Sequence, residues 1–172
     1  RSRQLHPIAC LVAGLVLAYG SAYFLRVLAG HVTMLAALSW SPLLFLTVDK
    51  LFKRPSAGWT LVGVLATTMM VLAGHPQSLY MTALAVGLYC LLNLWRSEQR
   101  GKVIGCLAVI AILPVFIGAV QLLTGLQVSQ ESMRTGGMSF DFATTFSFHP
   151  ENLLTLLAPT VFGDSVHLMY WA

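Results

Sequence analysis

The residues best suited to chemistry gather after position 120 and in two short turns. Gln121, Gln127, Gln130, Glu131 and Arg134 follow one another at spacings near three and four. That spacing places Gln127, Gln130 or Glu131, and Arg134 along one helical face. An arginine fork there suits bidentate binding of a phosphate or carboxylate, and Glu131 is placed to order a hydroxyl. The competing reading is a solvated helix end with an ordinary Glu131–Arg134 pair, worth roughly a few tenths of a kcal/mol. Asp141 follows, surrounded by Phe140, Phe142, Phe146 and Phe148. These aromatics read as packing at headgroup level, or alternatively as a platform for a lipid chain or sugar ring.

The turns come from a repeat. Val27-Leu28-Ala29-Gly30-His31 recurs as Val71-Leu72-Ala73-Gly74-His75, 44 positions later (71 − 27). One reading is structural: glycine closes a helix in the left-handed conformation, and the histidine bonds the last carbonyls at the negative end of the dipole. The other is functional: His31 and His75 face a water-filled cavity and hydrogen-bond a substrate. Pro76-Gln77 extends the polar turn at the second copy, which adds Gln77 to the candidates. His149 and His167 have no partner at metal-ligand spacing, and Asp164 reads as a turn former after Phe162-Gly163. Cys10, Cys90 and Cys106 lie in or beside apolar runs without a CxxC pattern, and so read as small buried hydrophobes. No cofactor is evident, and this segment lends no support to a divalent metal.

The elements that must position these groups are helices in lipid. Hydrophobic residues make up 57% of the chain and charged ones 9%, against about 45–50% and about 25% in soluble domains. Five apolar segments approach the ~20 residues that span a bilayer: 8–28, 32–48, 59–73, 78–95 and 103–123. Pro42 and Pro114 predict kinks, tolerated where Ser/Thr side chains or neighbouring helices satisfy the freed carbonyl. Arg1, Arg3, Lys50, Lys53, Arg54, Arg96, Arg100 and Lys102 all fall on one side of these segments, while Arg26 and Arg134 do not. The positive-inside rule then puts the start of the chain in the cytoplasm and the stretch after Leu123 outside. Basic residues in short clusters, with no aromatic-interleaved stripe, exclude nucleic-acid binding. No signal peptide is recognisable. The start at Arg1 and the end at Trp171-Ala172 predict a piece of a longer protein.

The fold class expected is all-α, a polytopic helical membrane protein. Its bundle occupies 1–125 and an extracytoplasmic loop 126–172. Within the loop, Pro150-Glu151-Asn152 opens a short apolar stretch closed by Ala158-Pro159, which predicts an interfacial helix near 150–157.

The succession Ala29-Gly30-His31, Trp40-Ser41-Pro42-Leu43, Ala73-Gly74-His75-Pro76-Gln77 with Tyr80, Gln121, Ser132-Met133-Arg134, Pro150 through Pro159, and Phe162-Gly163 leading to Tyr170-Trp171 resembles the bacterial YfhO-like membrane proteins. That family is similar to the GT-C class of polytopic glycosyltransferases. The resemblance implies transfer of a sugar from a polyprenyl-phosphate carrier to a cell-envelope acceptor such as teichoic acid, at the outer side of the bacterial cytoplasmic membrane. It implies as partners membrane lipid, a polyprenyl-phosphate-linked sugar and that acceptor. Substrate-binding candidates are His31, His75, Gln77, Gln121, Glu131, Arg134 and Asp141. The chain departs from the pattern at Gln127, where a carboxylate is expected, at Thr124, where a proline is, and at Ala172, where a glycine is. GT-C enzymes carry their catalytic aspartate in a large first outer loop, and the first outer turn here is only Ala29-Gly30-His31. The catalytic group is therefore expected upstream of Arg1, and this segment alone is expected to be inactive. The rival readings are a transporter or flippase for a lipid-linked or small polar substrate, which predicts ionisable groups near the bilayer midplane, and a purely structural module of an envelope complex.

Overall fold

The computed structural model describes residues 5–131, 140, 144, 147, 149–158 and 160–163. The chain divides into two units, Arg1–Val128 and Ser129–Ala172. The described residues of the first form eight helices joined by short turns: α1 (Pro7–Tyr19), α2 (Ser21–Leu28), α3 (Val32–Ser39), α4 (Ser41–Lys53), α5 (Ala57–Leu72), α6 (Pro76–Leu94), α7 (Arg100–Ile117) and α8 (Ala119–Glu131), the last running just beyond the boundary. In the second unit, Pro150–Leu156 forms a 3-10 helix with Pro150 in its first turn and Glu151 beside it. The short helix expected there is present, wound more tightly than an α-helix.

Among the described residues three helices are long and apolar enough to cross a membrane: Val32–Lys53, taken through Trp40, Pro76–Leu94 and Arg100–Ile117. Pro7–Tyr19 and Ala57–Leu72 are shorter apolar helices. Their outward faces are apolar. Leu84, Leu88, Leu91 and Leu92 on α6, and Ile104, Ile112 and Phe116 on α7, are all exposed. Patches of that extent on a water-soluble protein mark an association surface; on a helical bundle they suit a lipid solvent.

Several expected segments are broken where they were read as continuous. The 8–28 segment divides at Gly20, whose extended backbone (φ −58°, ψ 146°) separates α1 from α2. The 32–48 segment bends at Trp40 (φ −88°, ψ −15°) and continues to Lys53. Pro42 cannot donate to the carbonyl of Leu38, and the Ser41 hydroxyl takes that place with a 2.7 Å bond. In the last segment α7 runs through Pro114, and the break comes later at Gly118 (φ −89°, ψ 12°). Of the three cysteines, Cys90 and Cys106 pack against the core, but Cys10 is exposed on α1. The described residues thus supply no cover for Cys10, a correction to its reading as buried.

The core centres on α5. Thr60, Gly63, Val64, Ala66, Thr68, Met70 and Val71 are buried along it. Of these, Val64, Ala66 and Met70 meet Leu44, Val48 and Leu51 of α4 and Ile110 of α7 in one apolar cluster. Small residues let backbones approach closely where lipid provides no hydrophobic drive. A β-carbon added at Gly63 would lie 2.5 Å from Ile110 Cδ1 and 3.0 Å from Thr47 Cγ2. One at Gly118 would lie 2.6 Å from Val71 Cγ1. Gly63 to Val71 and Ile110 to Gly118 advance by the same eight positions (71 − 63; 118 − 110), so α5 and α7 run parallel, with α6 returning between them in sequence.

Gly63→Val overfills this contact and is expected to destabilise by about 1–3 kcal/mol. Gly87→Ala, where nothing lies within 4 Å of the added carbon, is expected to stabilise by about 0.5–1 kcal/mol through helix propensity. Thermal unfolding in a mild detergent measures both. Equal effects of the two changes would contradict the packing at Gly63.

Candidate functional site

The repeated turn adopts the same backbone twice. Gly30 has φ 72° and Gly74 φ 70°, both in the left-handed region that only glycine enters freely. At the first copy the Gly30 amide donates to the Val27 carbonyl and the His31 amide to the Arg26 carbonyl, both at 3.0 Å. This is the paired bonding that closes a helix C-terminus. At the second copy the Gly74 amide donates to the Val71 carbonyl at 3.1 Å. Glycine closes the helices as one of the two readings expected.

The histidines act otherwise than that reading held. His75 does not bond the carbonyls of α5 with its side chain; its Nδ1 accepts from the Ser78 amide at 3.1 Å and meets the Ser78 hydroxyl at 2.8 Å. It therefore caps the start of α6, leaving Nε2 as the ring atom outside the cap. His31 precedes α3 without a side-chain capping bond and is exposed.

Tertiary packing distinguishes the copies further. A β-carbon added at Gly30 would meet nothing within 4 Å, whereas one at Gly74 would lie 2.9 Å from Gln121 Nε2. The half-buried side chain of Gln121 lies across the Gly74 turn because Gly118 brings the start of α8 against Val71. Gly74, His75 and Gln121 thus share one end of the bundle, and Gln77 is exposed on the first turn of α6 beside them. Thr124, about one turn further along α8, bonds its own helix at the Val120 carbonyl, 2.8 Å away. Gln127 and Gln130 are helical and exposed, and Glu131 ends α8. Arg134, Asp141, Asp164, His167 and the aromatics Phe142, Phe146 and Phe148 lie outside the described residues. Among the described residues no group of three His, Cys, Asp or Glu side chains gathers as a metal site.

The opposite end holds a polar cluster that sequence reasoning passed over. Asp49, near the end of α4, has a side chain only 13% exposed and lies 3.4 Å from Lys53 Nζ. It accepts a 3.0 Å hydrogen bond from the Tyr89 hydroxyl of α6. The Tyr89 ring is held edge-on by Phe45 and Phe52, with centroids 6.3 and 6.2 Å away. Only the Asp49–Lys53 spacing of four was readable along the chain. Tyr89 is 40 positions from Asp49, and no local pattern links them.

Both glycine turns charge an L-residue about 1–2 kcal/mol for the left-handed backbone. Gly74→Ala must in addition displace Gln121, so it is expected to destabilise by about 1 kcal/mol more than Gly30→Ala. In a Gln121→Ala background the two costs should converge. A double-mutant cycle read by thermal unfolding decides it, and an undiminished difference would separate Gln121 from the turn. No known protein family, curated protein or solved structure matches the chain.

Proposed function

We propose that this chain is the membrane-spanning helical part of a GT-C-like glycosyltransferase that moves a sugar from a polyprenyl-phosphate donor to a cell-envelope acceptor. The observation that carries the reading is the packing of Gln121 across the Gly74 turn beside His75. These residues belong to the set on which the resemblance to YfhO-like proteins rests. They are distant in sequence and meet at the end of the bundle opposite the basic residues.

In this reading α1 with α2, α3 with α4, α5, α6 and α7 make five crossings. The end bearing Lys50, Lys53, Arg54, Arg96, Arg100 and Lys102 faces the cytoplasm of a bacterial cell. The Gly74 end and the terminal loop face outward. Leu153, Leu154, Leu156 and Leu157 of the 3-10 segment are exposed, which suits a helix lying at the membrane surface.

The chemistry follows from the substrate class. An acceptor hydroxyl oxygen attacks the anomeric carbon while its proton passes to a carboxylate. The bond to the carrier phosphate breaks, and the phosphate leaves with the electron pair. Arg134, with His75 Nε2 and Gln77, offsets the charge that grows on that phosphate; Glu131 or Asp141 positions hydroxyls. The turn between α2 and α3 is too short for a catalytic outer loop, so no residue of that turn is assigned as the carboxylate.

Topology is tested with single cysteines in a background lacking Cys10, Cys90 and Cys106. Cysteines at Gln77 and Gln127 should react with an impermeant thiol reagent applied outside intact cells, and cysteines at Lys53 or Arg100 only after lysis. The reverse pattern would invert the assignment.

Activity is tested on the full-length protein in vesicles with a polyprenyl-phosphate sugar. Arg134→Ala should lower transfer by about 100-fold or more, the loss typical of a donor to developing charge. His75→Asn keeps a capping side chain but removes the second ring nitrogen, so it should lower transfer without lowering the melting temperature. Unchanged turnover in both variants would remove them from the mechanism. Substrate flipping without transfer would favour the transporter.

A further inference from the structure

We propose that the cavity between the ends of α4 and α6 binds the phosphodiester headgroup of an anionic phospholipid. The inference rests on the chain's residing in a bilayer and not on the transferase reading. Asp49, Phe52, Lys53, Tyr89, Asn93, Arg96 and Ser97 line the cavity, whose volume is about 200 Å³. That is below the roughly 300–1,000 Å³ of sites that enclose drug-sized ligands, and suits a headgroup better than a nucleotide.

The donor set is that of an anion site. The Arg96 guanidinium makes no ion pair or hydrogen bond among the described residues, in contrast to Arg100, which donates to the carbonyls of Trp95 at 2.7 Å and Ser97 at 3.1 Å. Arginine presents a fork that matches phosphate oxygens. Lys53 adds a second cation, and Ser97 a hydroxyl on the same rim. Asp49 holds Lys53 at 3.4 Å and is itself held by Tyr89, so the lysine is anchored at the cavity wall.

The charge balance selects the kind of phosphate. Two cations and one carboxylate leave the cavity with one net positive charge. A phosphodiester carries one negative charge, whereas a phosphate with two ionised oxygens would meet repulsion from Asp49 and from the carbonyl ends of α4 and α6. The surroundings fit the depth of lipid headgroups. Trp95 beside the cavity is 78% exposed, and Lys50 lies 5.9 Å from the ring centre of Trp59 at the same end. Exposed tryptophan and basic side chains anchor helices at the membrane interface.

The experiment uses the full-length protein in an uncharged detergent. It follows the melting temperature and lipid retention in native mass spectrometry as phosphatidylglycerol is added. Phosphatidylglycerol is expected to stabilise the protein, and Arg96→Gln to weaken its binding by about tenfold, the loss of one charge-assisted contact. Arg54→Gln, a basic residue at the same end but outside the cavity, should leave binding unchanged. Ser97→Leu, which fills the cavity without removing charge, should act like Arg96→Gln and serves if that variant does not fold. Equal losses at Arg54 and Arg96 would reduce the effect to diffuse attraction and overturn the proposal. Stabilisation by inorganic phosphate at equal concentration, lost in Arg96→Gln, would overturn the lipid assignment, and absence of any binding would overturn the site. Fractionation of the same preparation with membranes keeps this failure separate from failure of the membrane reading.

Discussion

The bundle depends on how closely other helices can approach α5. At about 1.5 Å per residue its 16 residues reach about 24 Å, less than the ~30 Å hydrocarbon core, yet among the described residues it is the most thoroughly buried helix. Its neighbours shield it from the surrounding solvent. In lipid, apolar burial contributes little to helix association, so contact must come from close packing. Gly63 provides it by leaving room for Ile110 and Thr47, and Gly118 by leaving room for Val71. Once α7 lies parallel to α5 through these two contacts, the start of α8 is carried across the end of α5. Gln121 then lies over Gly74.

The same shortage of water explains how the bundle treats five of its hydroxyls. Ser39, Ser41, Thr47, Thr60 and Thr124 each donate to a carbonyl three or four residues back in the chain. Such bonds satisfy polar groups within one helix and demand nothing of its partners. Charged groups cannot be satisfied so locally, and they collect at the helix ends. Asp49 is the exception nearest the interior. It is tolerated because Tyr89 and Lys53 both reach it; a carboxylate buried alone would be expelled or neutralised.

The two ends of the bundle thereby acquire different character. At one, backbone turns and the polar side chains of His75, Gln77 and Gln121 are set by glycine and by capping. At the other, cations outnumber the two carboxylates, Asp49 and Glu98, and aromatic rings orient the groups between them. Chemistry at the first would rest on oriented dipoles and hydrogen bonds. Recognition at the second would rest on net charge.

Much of this was legible along the chain because it is local. Apolar run length marks the helices, a glycine before histidine marks a left-handed close, and the clustering of lysine and arginine marks one end. Even the rescue of the Pro42 kink by a neighbouring hydroxyl follows from a single turn of helix. The sequence could not separate the two Gly-His turns, which are identical over five residues and have the same backbone; only the path of α8 decides that Gln121 covers one and leaves the other open. Nor could it join Asp49 to Tyr89, or place the break at Gly118 in preference to Pro114. Those outcomes depend on the rotation and register of whole helices against each other, and close packing between side chains far apart in the chain sets both.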